Sequence, residues 1–247
     1  MYHLFKRIFK LLVPKRWWTV IEPYLRNLAA IPYVGNQFQC NLCDFRMSQF
    51  VKKANGQLLC PRCGSLPRTR RLLEVLTTQF DLIDKTVLDF SPQKSLSNKL
   101  NQFDLKQYIT ADFKGEFVAQ KKIDITAIEE EDCSFDLIIC YHILEHIEQD
   151  QRAMKELFRV LKTGGSVLIQ TPFKEGEIYE NSKIVEPKDR LRHFGQEDHV
   201  RIYSVKGLVS RLELTGFTVE VMTWFAQESN FHGFKASETV LLATKAS

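Results

Sequence analysis

Two hydrophobic rhythms run along the chain. Over residues 67–80, Leu72, Val75, Leu76 and Phe80 recur at helical spacing, and Pro67 suits a first helical turn. From residue 86 onward, short apolar runs alternate with helical ones. Residues 86–89, 108–112, 122–125, 135–140 and 166–170 predict five strands. Between them Leu96, Leu100 and Phe103 mark one helix. Another covers 151–162, with Met154, Leu157, Phe158 and Leu161 on one face, Asp150 as its cap and Gly164-Gly165 as its stop. A helix over 205–214, halted by Gly216, and strands over 217–225 and 238–244 complete the series. This alternation predicts an α/β fold, a parallel sheet with helices on both faces. Such sheets bind ligands beyond the carboxyl ends of their strands, near the point where strand order reverses.

Two stretches break the alternation. Residues 172–203 form a long polar run, the length of a lid or binding loop, and its Tyr179, Arg190, Arg192, His193, His199, Arg201 and Tyr203 suit an anionic or sugar-like substrate. At the front, Leu4, Phe5, Ile8, Phe9 and Leu12 fall on one helical face, with Lys6, Arg7 and Lys10 on the other. Pro14 breaks that helix, and Lys15-Arg-Trp-Trp18 pairs basic residues with aromatics that favour a membrane–water boundary. This N-terminal helix fits an anionic membrane surface or a fold-back onto the protein itself.

Composition narrows the class. With 44% hydrophobic and 26% charged residues, wholesale disorder and fibrous architectures are excluded. No apolar run approaches the ~18 residues of a membrane-spanning helix. The early lysines and arginine also break any secretory signal, so a cytoplasmic location is expected, peripheral to a membrane if the front segment binds one. Basic residues outnumber acidic ones by 14 to 5 over residues 1–85 and trail them by 20 to 25 over 86–247. The basic front suggests an anionic partner: a membrane, a nucleic acid or a phosphorylated ligand.

Four of the six cysteines form Cys40-Asn-Leu-Cys43 and Cys60-Pro-Arg-Cys63, the spacing of a Cys₄ zinc ribbon. Each pair sits on a tight turn that brings two thiolates together, and Gly64 lets the second turn back. Four protein ligands predict a structural zinc ion, which supplies folding free energy to a segment too small for its own core. Cys133 and Cys140 read as small buried apolar residues.

Residues 86–247 resemble the class I S-adenosylmethionine-dependent methyltransferases, of the type 11-like kind, with their Rossmann-like sheet. The resemblance rests on Val87-Leu-Asp89, Asp112, Asp124-Ile-Thr, the block from Ser134 to His146, Phe158-Arg-Val-Leu-Lys-Thr-Gly-Gly165 and Gly216-Phe-Thr-Val. The chain from about residue 35 is similar to a bacterial group that joins a Cys₄ knuckle ending in Cys-Pro-x-Cys-Gly-Ser-Leu to this domain, and that also carries the string seen here from Phe194 to Tyr203. The resemblance divides the chain into a basic segment (1–34), a zinc ribbon (35–66) and a methyltransferase domain (67–247). One departure stands out. The wider family has a glycine-rich turn after strand one, where this chain reads Asp89-Phe-Ser-Pro-Gln93, a proline turn like that of the zinc-knuckle group.

The resemblance implies S-adenosylmethionine as cofactor, held by Asp89, Ser91, Pro92, Asp112, Asp124, Cys140 and Tyr141. Asp112 lies near the offset from strand one at which an acid meets ribose hydroxyls, and Asp124 resembles the residue that accepts the adenine amino group. Methyl transfer needs alignment and at most a base; His142, His193 and His199 are the candidates. His142-Ile-Leu-Glu-His146 matches a zinc-protease string, but it follows a strand and not a long helix, so that chemistry is set aside. The acceptor is expected to be a small molecule, glycan or lipid-linked substrate. An RNA methyltransferase using the basic ribbon and a non-catalytic adaptor remain alternatives. Against the former, the segment after strand four reads Cys140-Tyr-His-Ile and lacks the Pro-Pro string typical of base amino-group methylation.

Overall fold

The computed structural model describes residues 15–225 and 227–246. The amphipathic pattern of residues 4–12 lies outside them. The chain divides into two compact units. The described residues of 1–81, 95–99 and 225–237 form one, and those of 82–94, 100–224 and 238–247 the other. The sequence places the end of the ribbon at residue 66. The first unit instead continues through the next helix and takes in a segment from near the end of the chain.

In the first unit, α1 (Lys15–Ala30) leads through a short 3₁₀ turn into β1 (Val34–Gln39), which pairs antiparallel with β2 (Arg46–Met47). A second small hairpin joins β3 (Val51–Lys52) to β4 (Leu58–Leu59), and α2 (Pro67–Gln79) follows. The two cysteine turns share one design. The Asp44 amide donates to Cys40 O at 2.8 Å, and the Gly64 amide donates to Cys60 O at 3.0 Å. Both residues take left-handed backbone, Asp44 at φ 56° and Gly64 at φ 76°.

The centre of this unit is a cation. Arg70, on α2, is fully buried. All of its N–H groups are used: to His232 O at 2.6 Å, Gly233 O at 2.7 Å, Ser65 O at 2.8 Å, Leu58 O at 2.9 Å and Ser65 Oγ at 3.3 Å. Its guanidinium also stands 4.4 Å from the Phe50 ring centroid. No carboxylate is among these partners.

The second unit holds β5 (Thr86–Phe90), β6 (Gln107–Ala111), β7 (Phe135–Tyr141), α4 (Asp150–Val160), β8 (Leu161–Gln170), the short β9 (Tyr179–Glu180), α5 (Pro187–Phe194), the short β10 (Arg201–Ile202) and α6 (Val205–Thr215). The helix α3 (Lys94–Leu100) follows β5, and β11 (Phe217–Phe225) and β12 (Ser237–Lys245) come last. Six strands form one sheet in the order β11-β12-β8-β7-β5-β6. β5 runs parallel to β6 and β7, and β7 parallel to β8. β12 is antiparallel to β8, so the sheet is mixed and not wholly parallel. The β11–β12 connection contains no helix among the described residues, and without a crossover consecutive neighbouring strands do not run parallel.

The central strands read as unbroken apolar runs because both faces are covered. Leu88, Ile138 and Ile169 pack with Met154, Leu157 and Leu208 in one core. Residues 122–125 do not form the predicted strand; only isolated bridges occur there. The Asp124 carboxylate accepts from both the amide and the hydroxyl of Thr126 at 2.8 Å, so the backbone turns instead of extending. β8 starts earlier than its apolar run, at Leu161, and absorbs Gly164-Gly165 in a register shift.

Arg70 generates a prediction. Replacing it with methionine strands four carbonyls away from water and should destabilise the protein by about 3–5 kcal/mol in chemical denaturation.

Candidate functional site

Strand order reverses beside β5. The chain leaves β5 to build β6 on one side, then returns with β7 on the other. A crevice forms at such a point, at the carboxyl ends of the two strands. Both strands end there in strained backbone: Ser91 has φ 50° and His142 has φ 57°, left-handed values that cost a residue with a Cβ about 1–2 kcal/mol. Neighbouring strands hold them in place. The Ser91 amide donates to Ala111 O at 2.8 Å, and the His142 amide to Gln170 O at 2.7 Å. Ser91 thus adopts the conformation for which a glycine is normally selected, and Pro92 is buried directly after it.

Acids cluster at the strand ends. Asp89, on β5, is buried and accepts from Tyr108 Oη at 2.7 Å. Burial pushes its carboxyl up to about 7, against the smaller opposing effect of the Tyr108 hydroxyl. Asp112 follows β6, is buried, and accepts from Ser91 Oγ at 3.0 Å and from the Glu116 amide at 2.8 Å. Cys140 is buried near the end of β7, where burial pushes its thiol up. Tyr141, the last residue of β7, is half-buried. Asp124 is also half-buried, in its own turn. Cys133, expected to be buried like Cys140, is exposed.

Of the three predicted histidines, two gather at one glutamate and the third stands apart. His142 Nδ1 lies 3.1 Å from Glu145 Oε1. His199 is buried near the same glutamate, and burial lowers its pKa. His193 is exposed on α5, with Nδ1 2.7 Å from Tyr179 Oη. Sequence reasoning passed over Glu145. It is buried, and although burial would raise its carboxyl, the hydrogen bond and charge of His142 hold it below the ordinary value. A glutamate between two histidines in a turn after a central strand was the available signal.

Two of the arginines of the 172–203 stretch, Arg190 and Arg201, are engaged within the protein. Arg201 donates to Glu180 at 2.8 Å and to the carbonyls of Leu144, Ile147 and Glu148. Arg190 pairs with Glu148 at 3.1 Å. Tyr203 is fully buried, its hydroxyl donating to Asp150 at 2.5 Å. The stretch contains β9, α5 and β10, and these residues fasten it down. An open cleft of about 1030 Å³ lies among them, lined in part by Glu148, Asp150, Glu180, Arg190 and Arg201, which pair with one another or with Arg211.

In the first unit the four cysteines converge. Cys40 Sγ lies 3.6 Å from Cys63 Sγ and Cys43 Sγ 3.7 Å from Cys60 Sγ. Those separations match the edge of a tetrahedron with Zn–S bonds of about 2.3 Å.

Asp89 carries a pH signature. Its folded pKa lies above that of an unfolded aspartate, so the folded state binds more protons between about pH 4 and 7 and loses stability as pH rises through that window. Denaturation of wild type and Asp89→Asn at pH 4.5 and 7.5 should show the variant gaining on wild type at the higher pH, by about 3 kcal/mol.

Comparison with known proteins follows this geometry. No functionally curated protein matches the chain in sequence. Among solved structures, a Bacillus halodurans protein assigned to the methyltransferases is similar with a TM-score of 0.51 at 15% identity, over 72% of this chain and 99% of its own. An S-adenosylmethionine-dependent methyltransferase of Thermotoga maritima is similar at 0.50 and 17% identity, over 70% and 87%. A Haemonchus contortus phosphoethanolamine N-methyltransferase, solved with S-adenosylhomocysteine, is similar at 0.50 and 15%, over 73% of this chain and 52% of that one. At such identities the likeness is one of fold. The sequence model of a family described as a methyltransferase domain matches residues 65–221, well over half of the chain. With that match and the six-stranded Rossmann-like sheet, the chain belongs to the methyltransferase-domain family.

Proposed function

We propose that this protein transfers a methyl group from S-adenosylmethionine to a small-molecule, glycan or lipid-linked acceptor. The observation that carries the reading is the pair of buried acids, Asp89 and Asp112, on neighbouring strand ends where strand order reverses, with no basic side chain among their hydrogen-bond partners. S-adenosylmethionine brings a sulfonium, an ammonium and ribose hydroxyls but no phosphate. It therefore suits carboxylates on a turn without a glycine-rich phosphate cradle. When bound, it supplies an already activated methyl group.

The chain's own residues then bind and orient. Asp112, pre-set by Ser91, would hold ribose hydroxyls; Asp124 would accept from the adenine amino group; Asp89, Pro92, Cys140 and Tyr141 would wall the crevice. His142 is the best placed base. With Nδ1–H donating to Glu145, its Nε2 becomes the basic nitrogen for an acceptor proton. The exposed His193 is the second candidate. Calorimetry with S-adenosylmethionine tests the cofactor reading: Asp112→Asn should weaken binding by about 1–3 kcal/mol. Absence of binding to wild type would end it.

We further propose that the four cysteines hold one structural zinc ion. A zinc tetrathiolate carries a net negative charge, and the buried Arg70, which has no carboxylate partner, supplies the matching cation: burial lowers its pKa, and negative charge on the four cysteines opposes that lowering. Cys60→Ser should lose one equivalent of zinc in metal analysis and unfold the ribbon.

For the N-terminal segment we propose reversible binding to an anionic membrane. Supporting it, Tyr24, Leu28 and Ile31, spaced along one helical face, are exposed at 69%, 63% and 62%. Vesicle co-sedimentation should require anionic lipid, weaken with salt and vanish when residues 1–18 are deleted. Unchanged binding after the deletion removes the reading.

A further inference from the structure

Beside the crevice, three ligand-type side chains converge without an organising hydrogen bond. Glu145 and His146 lie in the 3₁₀ turn Leu144–His146 that follows β7, and His199 lies between α5 and β10. One ligand atom from each falls within 4.8 Å of the others. The backbone joins the two segments, since the Val200 amide donates to Glu145 O at 2.9 Å.

The protonation pattern at the centre is mismatched. Glu145 Oε1 is occupied by His142 Nδ1 at 3.1 Å, and Oε2 is buried with no hydrogen-bond partner. His199 donates through Nδ1 to Phe194 O at 3.2 Å, which leaves Nε2 as a lone pair, also buried and without a partner. Both residues are more than nine-tenths buried. Two acceptors are thus buried with no hydrogen-bond donor upon them. Native structures seldom leave such groups bare, and a cation satisfies both at once. The third member, His146, packs edge-on against His199 with ring centroids 4.6 Å apart, and its Nδ1 lies 2.9 Å from Asp198 Oδ2. That approach is one of charge and not a formed hydrogen bond, so His146 Nδ1 too is left without a hydrogen-bond partner.

We infer that Glu145, His146 and His199 form a binding site for one divalent transition-metal ion, separate from the cysteine ribbon. Two imidazoles and one carboxylate select zinc, cobalt or manganese over calcium or magnesium, which prefer oxygen-only shells. Three protein ligands leave a position for an exchangeable oxygen. The ion would tie the 194–203 segment to the turn after β7. The inference does not depend on the methyltransferase reading.

The test uses the full-length protein, reduced and with its cysteine ribbon loaded with metal, titrated with Zn²⁺ alone and then with Co²⁺ alone. The expected result is one further equivalent, at least tenfold weaker in His146→Gln and in His199→Gln, with ribbon metal content and circular dichroism unchanged. Bound Co²⁺ at this site should give ligand-field bands without the thiolate charge-transfer of the ribbon. Should the His199 variant not fold, the half-exposed His146→Gln and the wild-type cobalt spectrum decide. No second equivalent in wild type, or a second equivalent retained in both folded variants, overturns the site and leaves a bridging water as the occupant. S-adenosylmethionine affinity, measured separately on the ribbon-loaded protein before any metal is added, reports on the cofactor reading whichever way the metal titration falls.

Discussion

β5 and β7 hydrogen-bond in parallel through Val87–Leu137, Leu88–Ile138 and Asp89–Ile139, while the chain around them builds outward to opposite sides. This one register sets the position of everything chemical in the sheet unit. It sets Asp89 beside Ile139 and brings Ser91 and His142, each the first residue past its strand, to the same edge of the sheet, and it fixes the direction in which the Glu145 turn departs. A slip of β7 by a single residue would turn its two faces over and exchange the environments of Cys140 and Tyr141. The apolar run from Leu137 to Cys140, buried on both sides, makes that slip expensive.

Charge buried in each unit is handled differently. In the ribbon unit a guanidinium is saturated with carbonyl oxygens and stands near four thiols. In the sheet unit, carboxylates are left with few donors: Asp89 has a phenol, and Glu145 has one imidazole and an open oxygen. The first arrangement is closed and suits a structural role. The second leaves bonding capacity unspent, which is the condition of a site that receives something from outside.

Much of this was legible in the residues. Strand-length apolar runs gave β5, β6, β7 and the core of β8, because strands covered on both faces must be apolar throughout. The cysteine spacing anticipated the convergence of four thiols, since the geometry is set within two short turns. Harder to see were features that depend on partners far along the chain. The 122–125 run has the composition of a strand, yet Asp124 turns it by bonding Thr126. Arg201 and Tyr203 look like substrate-binding residues in a polar stretch, but distant Asp150 and Glu180 absorb them. Ser91 gives no sign of left-handed backbone in its sequence context; the neighbouring strand imposes it. Helix α1 past Pro14, and the recruitment of residues 227–237 into the ribbon unit, likewise have no local signal.

That recruitment bears on how the protein is made. Two of the four carbonyls that satisfy Arg70 belong to His232 and Gly233, more than 160 positions downstream. A ribosome delivers the cysteine turns first, yet their supporting cation cannot find its full set of acceptors until more than 160 further residues have been made. During that interval the ribbon must persist with a half-solvated arginine, or with whatever stability a bound ion confers. The order of assembly is therefore inverted with respect to the order of the chain. The ribbon unit closes only after most of the sheet unit has been made.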